Sequence, residues 1–273
     1  RDQISPSGVG YDIACGNKAV RTDLRAAAIR KDLPKIMDAI FDQVSFGIGR
    51  KNKRPVDHEL FDDPTWRDLP EVGALKDLAY AQLGTVGAGN HFVDLFEEEA
   101  TGALWVGVHF GSRGFGHKTA TGFLNLAHGR EFDAKPPGES MDQDPTVISL
   151  KTSLGQAYLA AMHLAGRYAY AGRDYVVSEV LKILRARATA EVHNHHCLPE
   201  YAIMRHKGLL SVVSRSLSVV VPRPEGSAYP KGKHHDPLPG PRPGTLCDGR
   251  RLAPSPIHPK PHLDHFTPHP IPA

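Results

Sequence analysis

Four places in this 273-residue chain hold side-chain types at spacings that could do metal or phosphate chemistry. The first is Gly8-Val-Gly-Tyr-Asp-Ile-Ala-Cys-Gly16, where Asp12 and Cys15 stand three residues apart in a glycine-flanked turn. A carboxylate and a thiolate at that spacing suit a borderline-soft divalent ion. The pair also has a structural reading, a buried cysteine beside a turn-forming aspartate. The second and third places are glycine-rich turns that each deliver a histidine: Gly87-Ala-Gly-Asn-His91, and Val108-His-Phe-Gly-Ser-Arg-Gly114 around His109. Glycines beside a histidine let backbone approach a ligand closely, which suits a metal or phosphate site. The fourth is Glu191-Val-His-Asn-His-His-Cys197, with three histidines in four positions. It reads either as metal binding or as an exposed histidine patch.

The elements that must carry these groups follow from pattern. His91-Phe-Val-Asp-Leu-Phe96 and Leu104-Trp-Val-Gly-Val-His-Phe110 are apolar runs separated by the acidic, glycine-containing stretch 97–102. They predict adjacent buried strands with a histidine at a strand end in each. Lys18 to Leu24 alternates like a strand. Leu24 to Ile48, Val72 to Leu83 and, most strongly, Leu154 to Arg187 have helical spacing. Alanines and glycines along the last helix predict close packing against a sheet or a second helix. The stretch 57–68 is polar and turn-rich and receives no role, and 129–145 reads as loop. The basic stretch Gly47-Ile-Gly-Arg-Lys-Asn-Lys-Arg54 reads as a solvated loop, with a phosphate-contacting loop as the alternative. Gly84-Thr-Val-Gly-Ala-Gly89 lacks the Lys-Ser/Thr ending of a P-loop and the dinucleotide fingerprint.

Bulk properties limit the function class only weakly. The net charge of +3 comes from the tail, because 222–273 holds seven Lys/Arg and four Asp/Glu while the rest balances at 26 of each. Bulk charge therefore says nothing about nucleic acid in the body. No run approaches the roughly 20 apolar residues that span a bilayer, and no signal-peptide pattern is seen. Three widely spaced cysteines do not make a disulfide framework, so a cytoplasmic location is expected. Fourteen of the 23 prolines lie in the last 52 residues, without periodicity, which predicts a disordered tail.

Together, Gly8–Gly16, Leu83-Gly-Thr-Val-Gly-Ala-Gly-Asn-His-Phe92, Val108–His117 and His193-Asn-His-His196 resemble, in the same order, the RtcB family of RNA ligases. Tyr158–Met162, continuing to Arg173, resembles the family's long helix. The resemblance covers about residues 6–208. It implies an α/β fold, with sheets packed against helices around a central metal cleft. The domain division expected is a partial ligase domain at 1–208 and an unmatched tail at 209–273. The implied activity joins RNA ends bearing a 2′,3′-cyclic phosphate or 3′-phosphate to 5′-hydroxyl ends, using GTP and two Mn²⁺ ions. The expected partners are RNA and GTP, without a membrane, and the chain is expected to be a monomer.

The resemblance assigns the metal ligands to Asp12, Cys15 (bridging), His91, His109 and His196. It gives Asn90 a guanylate contact, Arg113 an RNA-phosphate clamp and Lys207 the lysine of the family's Arg-Lys-Gly segment. His193 and His195 are expected to support or surface roles, and His117 has no assigned metal role. Departures accompany the match. Cys197 stands where the family has Asn, the Arg-Lys-Gly segment reads Arg205-His-Lys-Gly208, and nothing after Gly208 matches the family's guanylylated histidine. The abrupt change there predicts a frameshift near codon 208 or a degenerate gene, with truncation at the N-terminus too. The alternative function is a catalytically incomplete metal- or RNA-binding remnant, and a third outcome is a misfolded product.

Overall fold

The structure is a computed structural model that describes residues 2–135 and 145–195 and the backbone of 214–216. These residues belong to one compact unit within Arg1–Val221. In chain order the elements are β1 (Gln3–Ile4), α1 (Pro6–Val9), β2 (Gly16–Arg25), α2 (Ala26–Ile29) and α3 (Leu33–Gln43). A 3₁₀ turn (Glu59–Asp62) precedes α4 (Thr65–Asp68), α5 (Pro70–Gly73) and α6 (Lys76–Gln82). Then come β3 (Phe92–Glu98), β4 (Ala103–Phe110), α7 (Arg113–Ala127), β5 (Ile148–Ser149), α8 (Ser153–Leu184), β6 (Ala188–His195) and β7 (Ser214–Ser216). The α/β class is as expected. The 208/209 boundary and the tail lie outside the described residues, except for the backbone of 214–216, which forms β7 against β3.

One five-stranded sheet, in the order β6-β2-β4-β3-β7, positions the site, and every pairing in it is antiparallel. β4 is central and buried along its length except at Trp105, as its continuous apolar run requires. β2 alternates buried and exposed positions, the period-2 pattern of a strand with one covered face. The apolar runs of β3 and β4 pair as the sequence predicts, with Phe92 opposite His109 and Phe96 opposite Trp105.

The 32-residue α8 covers the sheet and also packs against α7. Thr152 caps its start by accepting from the Gly155 N–H at 3.1 Å, and Arg185, in the left-handed region at φ 53°, ends it. Small residues allow the close approach: a Cβ on Gly172 would sit 3.2 Å from the Phe110 ring and 3.5 Å from the Gly84 nitrogen. Two core clusters result. One joins Phe115, Phe123, Tyr158, Met162 and Tyr168 between α7 and α8. The other joins Val20, Leu95, Val106, Val176 and Val180 between sheet and helix, with Ile40 from α3. Each such side chain contributes about 1.5–3 kcal/mol on burial.

The structure departs from the local sequence pattern in several places. The continuous helix expected over Leu24–Ile48 is α2 and α3 separated by a turn at 30–32, with Pro34 in the first turn of α3. Proline removes an N–H donor and suits a helix start rather than an interior. After Gln43 the chain leaves the helix, and Gly47 takes φ 120°. The segment expected over Val72–Leu83 likewise divides between α5 and α6. The roleless stretch 57–68 contributes Leu60, Phe61 and Trp66 to the core, and the Trp66 indole N–H donates to the Leu60 carbonyl at 2.9 Å. α7, with three glycines, and β6, mostly exposed, carry no clear periodic pattern in the sequence.

Candidate metal centre

Sheet topology explains why the separated sequence segments meet. β2 and β3 both run antiparallel to β4 and flank it, so the beginnings of β2 and β3 lie beside the end of β4. Asp12 and Cys15 precede β2, His91 immediately precedes β3, and His109 is the penultimate residue of β4. The lead-in to β2 is a tight turn in which the Cys15 N–H donates to the Asp12 carbonyl at 3.0 Å. The Ser112 N–H donates to the Ile13 carbonyl at 3.1 Å, fastening that turn to the loop after β4. Ala14 has φ 56°, a left-handed conformation that an alanine adopts only when its surroundings enforce it.

The side chains converge. His91 Nε2 lies 2.9 Å from Asp12 Oδ2 and 3.8 Å from Cys15 Sγ. One donor atom from each of Asp12, Cys15 and His91 lies within 4.8 Å of the other two. His109 Nε2 is 3.3 Å from Cys15 Sγ, and both residues are buried. Asn17 Oδ1 is 2.9 Å from His109 Nδ1, while Asn90 Nδ2 is 3.3 Å from His109 Nε2. The two contacts agree on one tautomer: Nδ1–H donates to Asn17 and the Nε2 lone pair faces Cys15 and Asn90. Fixing the tautomer through the opposite nitrogen is how a ligand histidine is held ready.

Glycines make room for this arrangement. A Cβ on Gly111 would lie 2.5–2.6 Å from the Asp12 carboxylate, and one on Gly87 would collide with both the His91 ring and the Arg113 guanidinium. Burial pushes the Asp12 carboxyl upward. The hydrogen bond and charge of His91, a hydrogen bond with Cys15 and the charge of Arg113 outweigh it and hold the carboxyl below its usual range. One ionised carboxylate, a thiol sulfur and imidazole nitrogens form a donor set that fits a borderline divalent cation.

Arg113, the first residue of α7, has φ 57°. Its Nε donates to Thr85 Oγ1 at 3.2 Å and its Nη2 to the Gly47 carbonyl at 3.0 Å. The guanidinium is thereby pinned against one wall of a cleft of about 570 Å³, which Asp12, Asn90, His91, His117 and Lys118 also line. Burial lowers the Arg113 pKa, against the charge of Asp12.

Of the residues singled out from sequence, Asp12, Cys15, Asn90, His91, His109 and Arg113 are brought together here. His196 and Lys207 lie outside the described residues. β6 ends at His195, opposite Gly16 and therefore beside Cys15 in the chain. His193 accepts from Arg173 Nε at 3.0 Å, and His195 Nδ1 is 2.7 Å from the Tyr170 hydroxyl. His117 lines the cleft and lies against Tyr11, with ring centroids 5.5 Å apart. Sequence reasoning missed Asn17 and Arg173. A polar residue two positions after Cys15 on an alternating strand was a usable signal for the first; the second had none, since Arg167 stands in the same Ala-Gly-Arg setting on α8 and is exposed.

The family model described as tRNA-splicing ligase RtcB matches residues 1–71 and 67–207. The tRNA-splicing ligase RtcB of Thermococcus kodakarensis is 30% identical over 217 residues, covering 63% of this chain and 44% of the relative. That of Pyrobaculum aerophilum is 29% identical over 219 residues, covering 64% and 44%. The RNA-splicing ligase RtcB homolog 1 of Entamoeba dispar is 26% identical over 220 residues, covering 65% and 40%. The chain thus spans less than half the length of these curated relatives. With the family model matching most of its residues, the chain belongs to the RtcB family.

Proposed function

We propose that this chain carries the metal centre of a GTP- and Mn²⁺-dependent RNA ligase. The reaction joins 2′,3′-cyclic phosphate or 3′-phosphate ends to 5′-hydroxyl ends. The observation that carries the reading is the convergence of Asp12, Cys15 and His91 within 4.8 Å, with His109 Nε2 at 3.3 Å from the same sulfur. In this reading those four residues and His196 would hold two Mn²⁺ ions. When bound, such a pair supplies positive charge that stabilises the charge developing on a phosphoryl group.

The chain's own residues supply position. Asp12 is ionised at neutral pH, since its environment holds the carboxyl below its usual range. Asn17 fixes the His109 tautomer. Arg113, pinned by Thr85 and Gly47 at the cleft wall, presents a planar cation to an RNA phosphate, a geometry suited to paired charge-assisted hydrogen bonds. Asn90 stands at the cleft beside His109, where it would contact the guanylate. Lys207 is assigned the family lysine role.

The test is an intact-mass measurement after incubation with Mn²⁺ and GTP, with Cys15→Ala as control and an RNA-joining assay alongside. A GMP-sized increase with joined RNA, both lost in the control, would support the reading and would require a residue other than the family's guanylylated histidine, which no segment of this sequence matches, to accept the GMP. Metal binding with neither adduct nor joining would replace this reading by a metal-binding remnant of a ligase.

A further inference from the structure

Arg173 lies in the middle of α8 with none of its surface exposed. Its Nη1 donates to the carbonyl oxygens of Ala14, at 3.0 Å, and Phe110, at 2.6 Å. Its Nε donates to His193 Nε2 at 3.0 Å, and the guanidinium carbon sits 4.7 Å from the centre of the Tyr170 ring. Among the described residues no carboxylate forms a salt bridge with it. Burial draws its pKa down to about 10, opposed by the charges of Tyr170, Cys15, Asp174 and Asp12. The group therefore stays cationic at neutral pH. A buried cation is costly unless its surroundings supply oxygen and π partners, and a leucine or methionine would fill a helix core at less cost.

The two carbonyls explain the placement. Ala14 directly precedes Cys15, and Phe110 directly follows His109. These are the residues whose donor atoms meet at 3.3 Å. One nitrogen thus ties the lead-in of β2 to the end of β4 at the level of the cage. The Ala14 end is also where the backbone is strained, at φ 56°, a conformation that persists only where its surroundings hold it. The third bond reaches His193 on β6, so the same guanidinium touches the segments on both sides of β2.

We propose that Arg173 is a positioning residue of the metal centre, setting the separation of Cys15 and His109 by bridging the Ala14 and Phe110 carbonyls. The inference rests on the metal reading above. It predicts that loss of the fork weakens metal binding specifically, rather than through global instability.

Co²⁺ is the probe, because its visible bands and its thiolate charge-transfer band report geometry and sulfur ligation. It is titrated into the unaltered full chain, Arg173→Lys and Met162→Ala, at a temperature where circular dichroism shows each folded. Met162 is fully buried in the core, 11 residues before Arg173 on α8, so its variant controls for instability. Lysine keeps the charge but cannot make the guanidinium's divided set of bonds. The expected result is a Co²⁺ affinity reduced about tenfold or more in Arg173→Lys, with a weakened or shifted thiolate band. Met162→Ala is expected to retain the original affinity and spectrum.

Unchanged affinity and spectrum in Arg173→Lys overturn the inference, as does an equal loss in Met162→Ala. If Arg173→Lys does not fold, His193→Leu decides, since it removes the Nε acceptor along with the ring's contacts to Asp174 and Tyr170. A several-fold loss of affinity with a changed band supports the role, and an unchanged titration overturns it. Failure of the unaltered chain to bind Co²⁺ overturns the metal reading itself, and this inference with it.

Discussion

His109 donates its Nδ1–H to Asn17 Oδ1 at 2.9 Å, across the register pair that joins β4 to β2. The strand pairing that builds the sheet therefore also orients a candidate metal ligand. Asn17→Ala removes the acceptor and lets the ring turn or change tautomer. Mn²⁺ affinity, read from the electron paramagnetic resonance signal of free Mn²⁺, is expected to fall about 10–100-fold. An unchanged affinity would show that the ring is held by other contacts.

Gly87 has a steric role at the site. A Cβ there collides with the His91 ring and the Arg113 guanidinium, so Gly87→Ala must displace one of them. Overpacking of this kind destabilises by about 1–3 kcal/mol, measurable in urea denaturation. Mn²⁺ affinity should fall with it, because His91 is one of the displaced groups. A variant that keeps both stability and affinity would contradict the geometry of the Gly84–His91 turn.

Arg113→Lys separates clamp from cage. Lysine keeps one positive charge but loses the planar fork that Thr85 and Gly47 pin. In the RNA-joining assay of the proposed ligase, the rate should fall about tenfold or more while Mn²⁺ affinity changes less than about twofold. Equal losses of both would move Arg113 from substrate to metal.

His193 predicts a pH dependence of stability. Burial first, then the charge of Arg173 and that of Lys18, draw its pKa down to about 4, against the opposing charges of Asp174 and Glu191. The unfolded chain, with an ordinary histidine pKa near 6.5, takes up the proton first as pH falls. This group's contribution is complete above about pH 6.5 and declines towards pH 4. Urea midpoints from pH 7 to 4 should fall less steeply in His193→Gln than in the unaltered chain. Parallel profiles would mean that His193 ionises normally in the fold.

Much of the site was legible because glycine turns, ligand-type side chains and apolar strand runs are local signals. Asp12 and Cys15 share one turn, and His91 and His109 each end or begin an apolar run that pairs with the other. α8 was legible because its apolar residues repeat over many turns. The unread elements depend on distant partners. α7 contains Gly114, Gly116 and Gly122, which weaken helix propensity, and it is a helix because Phe115, Phe123 and Leu124 bury themselves against the rest of the core. β6 is mostly exposed and shows no clean alternation, so only its pairing with β2 defines it. Arg173 reads as a surface cation until Ala14 and Phe110, 159 and 63 residues away, are seen against it.

The most direct test of the metal centre is anomalous diffraction at the manganese absorption edge from crystals of the chain grown with Mn²⁺. The account predicts anomalous density between Asp12, Cys15 and His91, with ligand distances of about 2.0–2.4 Å and His109 on the same sulfur-sharing centre. Manganese bound only elsewhere, with Asp12, Cys15 and His91 still in direct contact with one another, would contradict it.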